Sequence, residues 1–182
     1  MMRKVVSMLL AFVMIVSLPA VAYAEEVPVD TGAATEATAT APLPAVPFVL
    51  GPPATIIVYR NCNIMGVYDA NNQLLKACLV STGKPGHETP LGVYQIYQHT
   101  DKGGYHPMVD GTYGRWCMRF KQGGYMFHSV CYAYNGAPEP IPEEVAAIGT
   151  SVSLGCVRLN VADAEWLYKN TSNGCSVIIA DY

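Results

Sequence analysis

At 182 residues, with 11 Lys and Arg against 14 Asp and Glu, the chain has room for one ordinary domain and lacks the basic surplus that nucleic-acid binding requires. Its formal charge of −3 and hydrophobic content of 51% fit an ordinary globular protein, with part of the apolar excess gathered at the amino end.

That amino end reads as a leader. Met1 to Ala24 carries Arg3 and Lys4, then the apolar run Val5 to Val16, then small residues ending in Ala22-Tyr23-Ala24, the pattern of a secretory signal peptide. The apolar run falls short of a bilayer span and Pro19 precedes the small-residue site, so cleavage after Ala24 is expected rather than retention as an anchor. Residues 25–53 hold Glu25, Glu26, Asp30 and Glu36, no base, and many Ala, Thr and Pro with no apolar period. Such a stretch buries too little to fold and is expected to be a flexible linker that provides reach, or a tail left by cleavage. The folded domain is expected over 54–182.

Within it, Thr55-Ile56-Ile57-Val58-Tyr59, Asn63 to Tyr68 and Leu74 to Ser81 are β-branched and aromatic runs divided by a turn and by Asp69-Ala70-Asn71-Asn72, which predicts a strand meander. Thr82 to Thr89, with Gly83, Pro85 and Gly86, reads as a loop, and Gly92 to Gln98 alternates as one strand. His99 to Gly114, rich in glycine, is expected to be a long loop walling a groove. Arg115 to Phe120 and Gly124 to Val130 flank Lys121-Gln122-Gly123, a hairpin whose second strand delivers His128 on a rigid mount.

Asn135 to Val152 reads as loop around one short helix starting at Pro142-Glu143-Glu144 and stopping near Gly149, in a position to act as a lid. Asn160 can cap a helix over 161–169, with Asp163 at its third position and Val161, Ala164, Leu167 and Tyr168 as one apolar stripe. Asn173-Gly174 ends it, and Ser176 to Ala180 is a last strand. Strands dominate without regular strand and helix alternation, so the fold class is mainly β, a sandwich or barrel-like architecture with one or two short helices.

The chemistry centres on Ser153-Leu154-Gly155-Cys156-Val157-Arg158-Leu159. A glycine before the cysteine allows a tight backbone, and the amides of Leu154, Gly155 and Cys156 are placed to converge as an oxyanion hole. A thiol with a reference pKa of about 8.5 needs a base, and His128 is the candidate. His87, His99 and His106 fall in expected loops with no specific role, and no His or Cys pair has the short spacing of a metal site. Cysteines stand at 62, 78, 117, 131, 156 and 175, an even count that in an exported protein suggests a complete disulfide set. If Cys156 is instead a nucleophile, at most two bridges can form among Cys62, Cys78, Cys117, Cys131 and Cys175; Cys62 and Cys78 fall in consecutive strands and are candidate neighbours.

His128-Ser129-Val130, then a loop, then Ser-Leu-Gly-Cys-Val-Arg-Leu running into a helix, resembles the active-site signature of the L,D-transpeptidase (YkuD-type) family of cell-wall enzymes. Val80-Ser81-Thr82-Gly83 and Thr89-Pro90-Leu91-Gly92-Val93-Tyr94 resemble two further segments of that family, so the likeness runs from about Ala54 to Tyr182. It implies a β-rich sandwich, Cys156 as nucleophile, His128 as base oriented by the Ser129 backbone carbonyl, and no cofactor. It also implies a peptidoglycan stem-peptide substrate, cut after its third residue with loss of the terminal D-alanine and joined to a neighbouring side-chain amine. Carbapenem β-lactams are implied as covalent inhibitors, and the expected place is outside the cell or at the wall, as a monomer.

The chain departs from the family in Leu154, where a histidine is usual, and in the longer span between His128 and Cys156. Arg158 could meet a substrate carboxylate or tie the motif to the sheet; Ser153 could touch substrate or brace the turn; Tyr94, Tyr113 and Trp116 could line the groove or sit in the core. Three functions fit: a cross-linking transpeptidase, an L,D-carboxypeptidase-type hydrolase at the same site, and a non-catalytic wall-binding domain with Cys156 bridged.

Overall fold

The computed structural model describes residues 52–182; the expected signal peptide and all but the last two residues of the expected linker lie outside the described residues. Three strands open the fold: β1 (Pro53–Tyr59), β2 (Ile64–Asp69) and β3 (Leu74–Leu79). They form the expected antiparallel meander, and β11 (Ser176–Ala180) lies parallel to β1 with Ile57 opposite Ile178. With β4 (Gly92–Gln95) the sheet runs β3-β2-β1-β11-β4. Alternation decides which face is covered: Ile56, Val58, Met65, Val67 and Val177 are fully buried, and Ile179 nearly so.

The second sheet, in the order β10-β9-β8-β5, is made of β5 (Gln98–His99), β8 (Met118–Lys121), β9 (Tyr125–Ser129) and β10 (Val157–Leu159). Met118, Phe120, Phe127, Val157 and Leu159 close on the first sheet's inner residues as one core. Each such side chain stabilises by about 1.5–3 kcal/mol, so the molecule is the expected mainly β sandwich. Helix α2 (Val161–Asn170) covers one side with Ala164 and Leu167, capped as expected by Asn160 Oδ1, which accepts from the Asp163 amide at 2.8 Å.

Two strand expectations change. The single strand expected over 92–98 is two: the Ile96 amide donates to Cys175 O and the Tyr97 amide to Arg119 O, so the chain changes sheets between adjacent residues. The loop expected over 99–114 contains a hairpin, β6 (Tyr105–Pro107) with β7 (Tyr113–Arg115), whose turn is held by Asp110 Oδ1 accepting from the Thr112 hydroxyl (2.6 Å) and amide (3.1 Å). The short helix in the long insertion is α1 (Pro142–Ala146). All six cysteines are free thiols; Cys78 faces Met65 across β2 and β3, and Cys62 lies in the preceding turn, so the Cys62–Cys78 pairing does not form.

Candidate active site

Strands β9 and β10 run parallel with Phe127 opposite Val157 and His128 opposite Arg158. Phe127 and Val157 point into the core, so the alternate residues His128 and Arg158 share the outer face. Cys156 shares that face too, two residues and about 6–7 Å along the strand from Arg158. His128 is only 2% exposed, and its Nδ1 lies 2.6 Å from Ser129 O. A carbonyl only accepts, so Nδ1 carries the proton and Nε2 is left with a lone pair.

The loop that holds the cysteine is itself pinned on one side. Ser81 and Arg158 exchange both backbone bonds, the Ser153 amide donates to Thr82 O, and the Lys84 amide donates to Ser153 O. The Ser81-Thr82-Gly83 segment thus acts as a rail for the cysteine loop, and Gly83 has to be glycine because a Cβ there would come within 2.0 Å of His87 O. Ser153 braces the turn: its hydroxyl donates to Cys156 O (2.6 Å) and accepts from the Gly155 amide (3.1 Å). The Gly155 amide is therefore not free for an oxyanion, which leaves those of Leu154 and Cys156. Gly155 itself has φ +113°, and a Cβ would meet Tyr125 Cε1 at 2.7 Å.

His128, Cys156 and Arg158 line one cavity of about 350 Å³, together with Ser153 and Leu154. Its cover is the β6 and β7 hairpin, through His106, Met108 and Asp110, and no residue of 135–152 lines it. The lid expected in that insertion is therefore elsewhere; its helix instead reaches Arg158, whose Nη1 is paired with Glu144. Arg158, 7% exposed with Nε buried and unpartnered, is held as a structural group while still reaching the cavity. Tyr94 packs on Phe120 at 5.6 Å, Trp116 meets Tyr168 edge-on at 5.5 Å, and Tyr113 bridges to Tyr132; none of the three lines the cavity.

Residues 53–179 match the family model described as the L,D-transpeptidase catalytic domain, YkuD. The chain belongs to the YkuD family. It is 34% identical over 65 residues to YciB, an inferred L,D-transpeptidase of Bacillus subtilis (strain 168), a match covering 36% of this chain and 32% of that one. Among solved structures it is similar to an L,D-transpeptidase from Mycobacterium smegmatis, at 22% identity and TM-score 0.58 over 71% of this chain and 59% of that one. It also resembles the L,D-transpeptidase LdtMt1 in complex with imipenem, at 20% identity and TM-score 0.58 over 71% of this chain and 60% of the other. The chain thus spans about a third of YciB and about three fifths of these solved chains, and at such identities the structures establish the fold.

In this YkuD domain the thiol and the imidazole are both held neutral near pH 7. Burial pushes the Cys156 thiol above its ordinary value, although the Met126 amide, Arg158 and Arg119 pull the other way. Burial, and then the Arg158 charge, lower His128 to about 4. The Cys156 Sγ donates to Gly124 O at 3.5 Å rather than to His128, so the pair shares a cavity without yet sharing a proton. The 99–114 stretch does wall the cavity, but within it Asp110 went unnamed and His106 was given no role, and Arg119 on β8 escaped the sequence reading altogether. Asp110-Gly111 was a legible turn signal; nothing marked Arg119, because the face it occupies is set by the pairing of β8 with β9.

Proposed function

We propose that this YkuD domain is an exported, cysteine-dependent acyltransferase that cross-links peptidoglycan stem peptides at or outside the cell surface. The observation that carries the reading is the His128 tautomer: Nδ1–H is fixed on Ser129 O, which leaves Nε2 as the proton acceptor in the cavity that also holds Cys156.

The thiol swings from Gly124 O toward His128 as substrate enters, and Nε2 takes its proton while Sγ attacks the carbonyl of the third stem residue. The resulting oxyanion meets the Leu154 and Cys156 amides. Collapse breaks the amide bond, the imidazolium gives its proton to the departing D-alanine amine, and a thioester remains on Cys156. The side-chain amine of a second stem then loses a proton to His128, attacks the thioester and frees the thiol.

Intact mass after incubation with a carbapenem tests the site: the wild type gains the mass of one drug molecule and Cys156→Ala gains none. On purified muropeptides the wild type yields dimers. Drug adduct on Cys156→Ala would end the assignment, and trimmed monomers without dimers would make the enzyme a hydrolase.

A further inference from the structure

We propose that Arg119 recognises the carboxylate of the residue the donor peptide loses, and so selects donors that end in a free acid. The inference rests on the acyl-transfer reading above and adds a specificity residue to it.

Register places Arg119. It pairs with Met126 across β8 and β9, and continuing the β9 and β10 register sets Cys156 beside the same Met126 on the other side. Arg119, Met126 and Cys156 therefore form one row on the outer face, with Arg119 and Cys156 two strand spacings, about 9–10 Å, apart. All three line the cavity, and the long arginine side chain spans much of the gap. The leaving residue's carboxyl carbon lies one residue beyond the carbonyl that Sγ attacks, about 3.8 Å of chain, which puts it between sulfur and guanidinium.

The charge is also available. Arg158, the other cavity arginine, is committed to Glu144, whereas Arg119 forms no ion pair among the described residues. Its hydrogen-bond partner is His106 Nε2, to which Nη2 donates at 3.3 Å, and His106 Nδ1 is in turn held by Asp101. Nε2 acts there as an acceptor, so the Asp101–His106 pair aims Arg119 without neutralising it, and the rest of its donor fork can meet a carboxylate. The Arg119 charge reaches the sulfur as well, pulling the Cys156 thiol down. A role confined to the thiol is therefore the competing account.

The test compares a stem tetrapeptide ending in D-alanine with the same peptide ending in D-alanine amide. In the Cys156→Ala protein, where no chemistry occurs, the acid is expected to bind about 10- to 100-fold tighter than the amide, the range of a charge-assisted contact. Adding Arg119→Gln brings that ratio near one, and Arg119→Lys, which keeps the charge and loses the fork, leaves an intermediate ratio. With Cys156 intact, the acid-over-amide ratio of kcat/KM falls in the same order. A ratio that survives Arg119→Gln, or a preference that follows amidation of another carboxylate on the donor, overturns the proposal. So does an Arg119→Gln protein that slows iodoacetamide labelling of Cys156 as much as it slows turnover and keeps the acid preference. A protein that binds the acid through Arg119 but transfers no acyl group sinks the acyl-transfer reading and leaves this subsite standing. One that cross-links without an Arg119-dependent preference does the reverse.

Discussion

His128 links the proposed chemistry to stability through a single proton. Its folded value of about 4 lies below the ordinary 6.5, so the unfolded chain takes the proton first as pH falls. Stability attributable to this residue is complete above about pH 6.5 and declines between there and about pH 4, by on the order of 3 kcal/mol in all. Denaturant melts at pH 7 and pH 4.5 should show a smaller loss for His128→Asn than for the wild type; equal losses would mean the burial cost resides in another group. The residues proposed to carry this chemistry were legible because their neighbours are distinctive: Cys156 after Gly155 and before Val157-Arg158, and His128 at the end of an apolar run. Arg119 was not, because a lone arginine in a strand carries no mark of which face it takes, and the irregularity between Arg119 and Lys121 blurs even the alternation that would have told.

Among the elements, the insertion at 135–152 does different work from that expected of it. Its helix is too short and too exposed to stand alone, and Ile141, Gly149 and Ser81 tie it down: the Ile141 amide donates to Cys131 O, the Gly149 amide to Val80 O, and the Ser81 hydroxyl to Ala147 O. So held, it presents Glu144 to an arginine that is almost out of water. Glu144→Gln should cost about 2 kcal/mol, less than a fully buried pair because Glu144 stays partly exposed, and Glu144→Leu with Arg158→Met should recover most of it. A thermal-melt double-mutant cycle with no coupling would show that the pair is idle. Element types were mostly readable, α2 and β11 nearly to the residue, since caps and apolar period act locally. The split at Ile96 and Tyr97 was hidden because both sheets face one core, and an alternation that continues across the crossing does not reveal a change of partner. The β6 and β7 strands, three residues each, are shorter than the length over which a period of two can be recognised.

Taken whole, the molecule relies on the packing of its two sheets and not on covalent ties. Cys117, Cys131 and Cys175 are buried out of a reagent's reach, and burial raises the thiol of Cys117 to about 12, that of Cys175 to about 11 and that of half-buried Cys78 to about 12. Iodoacetamide should therefore label Cys62 and Cys156 in the native protein and all six cysteines in denaturant without reductant, read by mass. Fewer than six in denaturant would reveal a bridge foreign to this fold. Cysteine number alone could not decide this, since pairing depends on Cα separations that only the strand register supplies.

The seam between β1 and β11 carries a cost in time. The first strand of the described residues has one edge open until it meets a partner more than a hundred residues further along the chain, and that partner is also what fastens β4. Until it arrives the meander is an unfinished template, open to pairing with a stranger, and the sheet against which the cysteine's own layer packs does not exist. The proposed nucleophile is thus not in place until the last strand of the described residues has joined the sheet.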